Sequence, residues 1–401
     1  MIPLNGVEYV IGTADVVNTP IRVYDDTACA FIAELSAEIL KSPLARAYPD
    51  LSALAFWGRK ANLQKLKETF GDTAGRLGRG LCFHIAPSNI PVNFAFTYLF
   101  GLLAGNANIV RLPSKTFPQI DALCALMKKV LSKYPEIEKR TAFVRYPRSD
   151  ELTAEFCKHA DARMIWGGDK TIAAVKACPA SPRCVDIAFA DRYSLAIFDG
   201  NAVLNADETQ MKRLAENFYN DTWLMDQNAC SSPQIILWRN DSDEARQKFW
   251  DAALTVAEAK YVLQDAVAVD KYTLFCTEAV TNDNTKGFAH TGNLLYREEI
   301  EALTPDIINH RGKSGYFFEH SLKDVRELCA VITEKFQTIT YFGIDAVALR
   351  EELIAANIRG IDRIVPVGKA MDIDVIWDGH DLVRELSRIV SLHWFEKERI
   401  S

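Results

Sequence analysis

Residues 81–112 read LCFHIAPSNIPVNFAFTYLFGLLAGNANIVRL, and the fold prediction rests on this stretch. Residues 81–86 form a short apolar run that stops at a proline, which is typical of a buried strand. After a Pro-Ser-Asn turn, residues 91–104 form a longer apolar segment closed by a glycine, and 108–112 form a second strand. A strand, a helix and a strand joined by short turns predict two parallel strands connected by a right-handed crossover.

The same alternation continues beyond this stretch. It predicts strands at 142–145 and 163–166 and helices at 118–133, 149–159 and 167–178. Alternation sustained over about a hundred residues is typical of a Rossmann-like domain built on a parallel sheet. A second α/β block follows, with predicted strands at 194–198 and 234–238 and helices at 207–220 and 241–264. Amphipathic helices are predicted upstream at 26–41 and 52–70, and a last helix is predicted from Asp381.

The composition favours small-molecule chemistry. The 401 residues carry a net charge of −7 without a concentrated basic stripe, so no nucleic-acid partner is expected. The nine cysteines include no Cys-x-x-Cys pair and no repeated spacing, so neither a disulfide framework nor a metal site is expected. The first residues do not match a signal peptide, and the longest apolar stretch, 92–104, is too short to span a membrane. We therefore expect a soluble, cytoplasmic protein with reduced thiols.

Cys230 is the candidate nucleophile. It lies in Asp-Gln-Asn-Ala-Cys-Ser-Ser-Pro, residues 226–233, a small polar loop before an apolar strand. Such a loop offers access to the thiol, and its backbone N–H groups can stabilise a thiolate or an oxyanion. The alternative is a buried structural thiol, which is the interpretation for the cysteines within periodic apolar segments, namely Cys82, Cys124, Cys157 and Cys329.

Two further features follow predicted strands. Asn89 comes after the strand at 81–86, where ligands of open α/β sheets bind, and its amide can donate to an oxyanion. Its alternative role is to cap the helix that begins near Pro91. Gly167 and Gly168 follow the strand at 163–166 and would let a phosphate approach a helix N-terminus. They do not match G-x-G-x-x-G, so a plain tight turn is the alternative.

Five stretches occur in order along the chain: HIAPSNIPVNF (84–94), GLLAGN (101–106), NIVRLPSK (108–115), DQNACSSP (226–233) and GIDRIVPVG (360–368). Together they resemble the LuxC family of acyl-CoA reductases. The resemblance runs in order from about Phe56 to Arg388. Because this family is part of the aldehyde dehydrogenase superfamily, the resemblance implies an aldehyde-dehydrogenase-like α/β fold. That fold has a Rossmann-like cofactor domain and a second α/β catalytic domain.

The resemblance also implies roles for individual residues. Cys230 matches the thiol nucleophile, and Asn89 matches the asparagine that forms the oxyanion hole with the nucleophile's backbone N–H. Residues 112–115 match a Lys-Pro-Ala-Glu stretch whose glutamate binds the adenosine ribose, and Lys115 stands in place of that glutamate. A lysine there favours the 2′-phosphate, so NADPH is the expected cofactor. The other residues expected to contact the cofactor are Arg111, Ser88, Pro113, Gly167 and Gly168.

One departure from the superfamily pattern bears on the direction of the reaction. Oxidising members contain Glu-Leu-Gly-Gly-Lys, whose glutamate activates water, and Ala188 takes the glutamate's place here. Without that base a thioester intermediate is hydrolysed slowly, which favours a reductase. Asp186 or Asp191 could still serve as the base. His84 is interpreted as a core residue. His290 and His310 lie in polar stretches and could reach the site, so the sequence does not assign the proton donor.

Together these inferences predict an NADPH-dependent reductase that converts an acyl thioester, acyl-CoA or acyl-protein, to an aldehyde through acyl-Cys230. The expected domains are residues 1–193 for NADP, 194–365 for catalysis and a C-terminal segment, 366–401, that packs on the cofactor domain or an oligomer interface. A homo-oligomer and an acyl-activating synthetase partner are expected. The alternatives are an acyl-phosphate reductase of the same superfamily and a non-catalytic nucleotide-binding subunit.

Overall fold

The computed structural model describes residues 4–87, 90–115 and 117–392. These residues divide into two compact units. The first unit contains the described residues up to Ala190 and those from Ile373 onward, and the second unit is Asp191–Asp372. The chain therefore leaves the first unit, completes the second, and then returns to the first.

Strands and helices alternate along most of the chain. The strands are β1 (Glu8–Ile11), β2 (Arg76–Gly78), β3 (Leu81–Ile85), β4 (Ala107–Arg111), β5 (Thr141–Arg145), β6 (Ala162–Trp166), β7 (Val185–Phe189), β8 (Tyr193–Asp199), β9 (Pro233–Arg239), β10 (Thr285–Thr291), β11 (Leu295–Ile300), β12 (Tyr316–Ser321), β13 (Phe336–Phe342), β14 (Arg363–Pro366), β15 (Ile376–Trp377), β16 (His380–Asp381) and β17 (Ser387–Ile389). The helices are α1 (Asp26–Lys41), α2 (Leu44–Ala47), α3 (Pro49–Trp57), α4 (Lys60–Phe70), α5 (Asn93–Leu103), α6 (Pro118–Leu131), α7 (Pro135–Glu138), α8 (Asp150–His159), α9 (Asp169–Ala177), α10 (Gly200–Asn205), α11 (Glu208–Asp221), α12 (Asp243–Lys260), α13 (Asp265–Thr281), α14 (Val325–Cys329), α15 (Ala346–Ala355) and α16 (Leu382–Glu385).

Each unit is built on one large sheet. The first has the strand order β1-β5-β4-β3-β6-β7, and all neighbours are parallel except β1 and β5. The second has the order β10-β11-β12-β9-β8-β13-β14, and only β10 is antiparallel to its neighbour. The predicted parallel α/β architecture is therefore confirmed. Strands β3 and β4 are almost entirely buried, which explains why they read as continuous apolar runs.

Helix α5 and the strands beside it share a buried polar network. Every residue of α5 is buried, so its sequence lacks a polar face. His84 Nδ1 lies 2.8 Å from Thr97 Oγ1, and His84 Nε2 lies 2.9 Å from Asn108 Oδ1. A Cβ atom added to Gly101 would lie 2.0 Å from Asn108 Oδ1, so this helix can approach the sheet only with glycine here. His84 is thus a satisfied core residue, as the sequence suggested.

The segment after Ile373 packs on the first unit through β17, which pairs antiparallel with β2. Asn106 Nδ2 donates to Leu386 O at 2.9 Å, and Arg79 Nε donates to Glu385 O at 2.7 Å. The helix predicted from Asp381 was wrong, because α16 ends at Glu385 and the chain then forms this strand pair.

The single helix predicted at 52–70 was also wrong. The structure has two helices, α3 and α4, in its place. Gly58 caps α3, and Arg59 takes an extended conformation with ψ of 143°. An extended residue ends the helical hydrogen-bond ladder, so the amphipathic pattern on its two sides belongs to separate helices.

Candidate active site

Cys230 lies in the loop that enters β9, at the amino end of that strand. Strands β8, β12 and β13 are parallel to β9 or to its neighbours, so their amino ends lie at the same edge of the second sheet. The cysteine is half-buried. The candidate nucleophile therefore lies at the edge of the sheet where four parallel strands begin.

The loop before Cys230 has an unusual backbone conformation fixed by a buried glutamine. Asp226 and Gln227 both have positive φ, at 52° and 58°. The Gln227 side chain accepts from Gly315 N at 3.2 Å and donates to the carbonyls of Pro233 and Tyr316, each at 3.1 Å. Left-handed conformations of residues with side chains cost energy and persist where their surroundings enforce them. The loop is therefore held in one conformation between β9 and β12.

Further contacts hold the nucleophile's own peptide. Ser194 Oγ donates to Cys230 O at 2.6 Å and accepts from Thr338 N at 3.2 Å, so one hydroxyl joins the loop to β8 and β13. On the next residue, Ser231 Oγ donates to Met371 Sδ at 3.6 Å. These bonds restrict the position of the thiol and of the peptide groups beside it.

The segment that contains Met371 is itself fixed by a buried carboxylate. Asp221, at the end of α11, accepts from Gly368 N at 2.6 Å and from Ala370 N at 3.0 Å. Burial raises the pKa of Asp221 to about 7, against the opposing effect of these two N–H donors. The family-like stretch at 360–368 therefore leads into a segment that contacts the nucleophile loop.

A buried lysine is also linked to this loop. Lys271 Nζ donates to the carbonyls of Asn293, Leu294 and Ser314 at 2.7–3.0 Å. Burial lowers the pKa of Lys271 to about 7. Ser314 N in turn donates to Asp226 O at 3.1 Å, which links the lysine to the nucleophile loop. The sequence pattern did not indicate Lys271, Ser194 or Gln227 as positioning residues. Only Gln227 lies within a motif, DQNACSSP, that could have pointed to it.

Most other cysteines are in environments that disfavour a thiolate. Burial raises the pKa of Cys29 to about 11 and that of Cys124 to about 12. Burial also raises the pKa of Cys82, Cys184 and Cys329. A thiol must ionise before it attacks, so these residues are poor nucleophiles.

The first unit has a topological switch point beside β3. The chain passes from β3 to β4 and β5 on one side and then crosses to β6 and β7 on the other. Ile85, the last residue of β3, is paired with Arg111 and with Ile165, so the carboxyl ends of these strands are level. Ligands of open α/β sheets bind in the crevice outside such a point.

The residues predicted to contact the cofactor follow these strand ends. Gly168 precedes α9, and a Cβ atom on it would meet no atom within 4 Å, so a ligand could approach the backbone closely. The Arg111 guanidinium lies 4.3 Å from the centroid of the Tyr146 ring. Pro113 is buried and Lys115 is exposed, with its ammonium 5.1 Å from the Phe117 ring centroid. Ser88 and Asn89 lie outside the described residues.

The candidate water-activating groups are engaged elsewhere. Ala188 lies within β7, and the neighbouring Asp186 carboxylate binds the Arg163 guanidinium through two hydrogen bonds of 2.6 Å. Asp191 accepts from Arg311 Nη1 at 2.9 Å. Both carboxylates are therefore hydrogen-bonded to guanidinium groups.

The two histidines considered as proton donors contact other side chains. His310 bonds Glu278 at 2.8 Å and Asp306 at 3.0 Å, and these carboxylates raise its pKa although burial opposes them. His290 stacks on Tyr296 with ring centroids 5.5 Å apart. Across the described ranges, no group of three or more His, Cys, Asp or Glu residues could hold a metal ion. Within the same ranges no helix is both long and apolar enough to cross a membrane.

Comparison with known proteins identifies a family match and a fold match. The family model described as acyl-CoA reductase (LuxC) matches residues 52–263, more than half of the 401 residues. The long-chain acyl-protein thioester reductase of Vibrio harveyi is 25% identical over 322 residues, which cover 78% of this chain and 63% of that protein. This chain thus spans less than two thirds of that relative's length.

Solved structures of aldehyde dehydrogenases show the same fold at low identity. Aldehyde dehydrogenase 21 from Physcomitrella patens superposes with a TM-score of 0.63 at 12% identity, covering 91% of this chain and 85% of that one. An NAD-dependent benzaldehyde dehydrogenase from Corynebacterium glutamicum gives a TM-score of 0.59 at 13% identity, covering 90% and 82%. The predicted aldehyde-dehydrogenase-like fold is confirmed.

Proposed function

Because the chain belongs to the LuxC family of acyl-CoA reductases, we propose that it reduces an acyl thioester to the aldehyde through a covalent acyl-Cys230 intermediate. The observation that carries this proposal is the loop at Cys230, which lies within the matched region and is fixed by Gln227 and Ser194. A fixed loop places the thiol and the surrounding backbone donors before substrate arrives, so little reorganisation is needed during reaction.

The chemistry at Cys230 has two stages. The Cys230 thiolate attacks the acyl carbonyl carbon, and the carrier leaves as a thiolate that takes up the proton released when Cys230 ionised. The Cys230 backbone N–H and the Asn89 amide donate hydrogen bonds to the negatively charged carbonyl oxygen, the roles that family resemblance implies. A bound NADPH would supply the hydride that reduces the thioester. Cys230 is then expelled as the aldehyde carbonyl re-forms, which restores the free thiol.

The first unit fits a dinucleotide in three respects. Its switch point offers a crevice at the end of β3, and Gly168 leaves the start of α9 open to a phosphate. Arg111 and Lys115 follow the adjoining strand β4 and could pair with a 2′-phosphate. The positive charge of these two residues favours NADPH over NADH, and Ser88, Pro113 and Gly167 are proposed to line the same crevice.

Ala188 favours reduction over hydrolysis, because no carboxylate stands at its position and the flanking Asp186 and Asp191 are paired with arginines. An acyl-enzyme protected from water survives long enough to be reduced. The name of the Vibrio harveyi relative favours a long-chain acyl group carried by a protein, although acyl-CoA would serve the same thiol chemistry. The same proposal includes a homo-oligomer and an acyl-activating partner protein.

Intact-mass measurement tests the intermediate. The protein is incubated without NADPH with acyl-CoAs of several chain lengths, and we expect one acyl group per chain on Cys230. Cys230→Ala should abolish the adduct and leave NADPH affinity unchanged, whereas Cys184→Ala is the control that should keep it.

An adduct on another cysteine, or none with any acyl thioester, would contradict the assignment of Cys230. Acylation by an acyl phosphate but not by acyl-CoA would point to the acyl-phosphate reductase instead. NADPH binding without acylation by either compound would indicate a nucleotide-binding subunit that does not turn over.

A further inference from the structure

The last strand of the second sheet, β10, has an open edge. It pairs with β11 on one side, and no strand among the described residues pairs with it on the other. Four of its seven residues are exposed, namely Lys286, Phe288, His290 and Thr291. An open edge presents unpaired backbone N–H and C=O groups, so it can pair with a strand of another chain.

Helix α13 carries an apolar stripe beside this edge. The Phe275 ring lies 4.9 Å from the Phe288 ring, between ring centroids, so this side of α13 contacts β10. Tyr272 lies 6.2 Å from Phe275 and belongs to a set of exposed residues three or four positions apart, which therefore share one side of the helix. The α13 stripe consists of Val269, Tyr272, Cys276 and Val280. Exposed apolar residues grouped in this way are typical of a protein interface.

The sequence of β10 is suited to pair with itself. It reads Thr-Lys-Gly-Phe-Ala-His-Thr, with Phe288 at the centre, a small residue on each side and a threonine at each end. In an antiparallel pair centred on Phe288, the two phenylalanines lie opposite each other. Gly287 then lies opposite Ala289 of the second copy, and Thr285 lies opposite its Thr291. Aromatic pairs and threonine pairs are among the cross-strand pairs that stabilise a sheet.

Charge and area also favour a second copy as the partner. Lys286, which would lie opposite His290 of the second copy, is already paired with Glu299 of its own chain at 2.9 Å. The α13 stripe is uncharged, so two such faces do not repel each other although each chain carries a net charge of −7. The strand edge and the helix together form a strip about 25 Å long and about 20 Å high. Two copies would therefore bury about 1,000 Å², which is the area that a specific interface needs.

We propose that two copies of this chain join edge to edge through β10, antiparallel about a twofold axis that is perpendicular to the sheet and passes beside Phe288. The two seven-stranded sheets then form one continuous sheet. The twofold axis keeps both α13 helices on the same face of that sheet, with their stripes turned towards each other. This contact defines the homo-oligomer included in the proposed function, but it does not depend on the reaction at Cys230.

Sedimentation equilibrium of the full chain tests whether the dimer forms through this edge. We expect twice the chain mass of 45.0 kDa for the unsubstituted protein. Phe288→Lys should raise the dissociation constant at least tenfold, because two like charges would meet at the axis. Val347→Lys is the matched control, since it places the same charge on an exposed apolar residue of α15 in the same unit and should leave the mass unchanged. Circular dichroism and the thermal midpoint show whether each variant is folded.

Disulfide cross-linking tests the register in a Cys276→Ser background, with tryptic peptides 272–286 and 287–297 as the readout. After mild oxidation, Phe288→Cys should link to itself through two copies of peptide 287–297. Thr285→Cys and Thr291→Cys should each stay unlinked alone and should link when the two variants are mixed, because these positions lie opposite each other. A monomeric unsubstituted chain, a dimer that folded Phe288→Lys leaves intact, or the absence of the mixed link would each overturn the proposal.

Discussion

We propose that Lys115 stands where a charge selects between the two nicotinamide dinucleotides. Its ammonium is exposed and lies 5.1 Å from the Phe117 ring centroid, so the charge is available to a ligand. A charge-assisted bond to a 2′-phosphate contributes on the order of 1–3 kcal/mol. We expect Lys115→Glu to shift the ratio of kcat/KM values from NADPH towards NADH, with Lys128→Glu on α6 as the charge-matched control. Equal kcat/KM for both cofactors, unchanged by Lys115→Glu, would show that this lysine does not contact the phosphate.

Kinetics can distinguish the two candidate roles of Asn89, oxyanion donor and helix cap. Loss of one oxyanion donor typically costs about 10²–10³ in rate. Asn89→Ala should therefore lower kcat by that factor with little change in KM and with an unchanged unfolding midpoint in urea. If kcat is kept and the midpoint falls, Asn89 caps the helix that follows and does not contact the oxyanion.

The sequence predicts Cys230 as the candidate nucleophile but does not predict the contacts that hold its loop. Cys230 stands out because small polar residues surround it in an otherwise apolar stretch, and this signal is local. Its support is not local, since Ser194 lies 36 residues away and Gly315 lies 88 residues from Gln227. Contacts at such separations depend on which strands become neighbours, and periodicity does not contain that information.

At the level of secondary structure, buried strands and helices are predicted best. Strands β3, β4 and β6 and helix α5 are mostly apolar and almost entirely buried, so they stand out in the sequence. The edge strand β10, with sequence TKGFAHT, alternates between half-buried and exposed positions and contains no strong strand signal. The split of 52–70 into α3 and α4 was missed because the amphipathic period continues across the break at Arg59.

Alanine substitutions at two glycines of the first unit should differ in their effect on stability. Alanine at 101 would drive a methyl group to within 2.0 Å of Asn108 Oδ1, which cannot move without losing its contact with His84. Overpacking of this kind costs about 1–3 kcal/mol, so Gly101→Ala should lower the free energy of unfolding. Gly168→Ala meets no atom and should leave stability unchanged.

The second substitution has a separate effect if a phosphate approaches α9. A methyl group on Gly168 would then obstruct the ligand, and NADPH affinity measured by fluorescence titration should fall about tenfold, equivalent to about 1.4 kcal/mol. Unchanged affinity in Gly168→Ala would mean that the turn lies away from the cofactor.

At the level of the whole molecule, the two units should differ in their response to acid. Burial lowers the pKa of His84 to about 4, whereas an unfolded histidine titrates near 6.5. The unfolded chain thus binds a proton that the folded first unit rejects, and stability is lost as pH falls below the unfolded pKa. Between pH 7.5 and 5 the loss from this residue is about 2 kcal/mol.

Hydrogen exchange followed by mass spectrometry can measure this loss unit by unit. Amides of β3, β4 and β6 should lose protection between pH 7.5 and 5 after correction for intrinsic rates, and His84→Gln should remove most of that change. Amides of β9, in the second unit, provide an internal control that this substitution should not affect. Equal pH dependence in the variant and the unsubstituted protein would contradict a titrating role for His84.

The return of the chain to the first unit has a consequence for synthesis on the ribosome. The second unit, Asp191–Asp372, is continuous, so it can finish folding as soon as its last strand has left the exit tunnel. The first unit cannot finish folding at that stage, because β2 pairs with β17, which is made last. Asn106 likewise bonds Leu386, which follows it by 280 residues. The six strands of the large sheet are complete once Phe189 has been made, but β2 stays unpaired until the end of the chain emerges. A stalled chain that ends before residue 373 should expose β2 to chaperones and proteases while the second unit is already resistant to them.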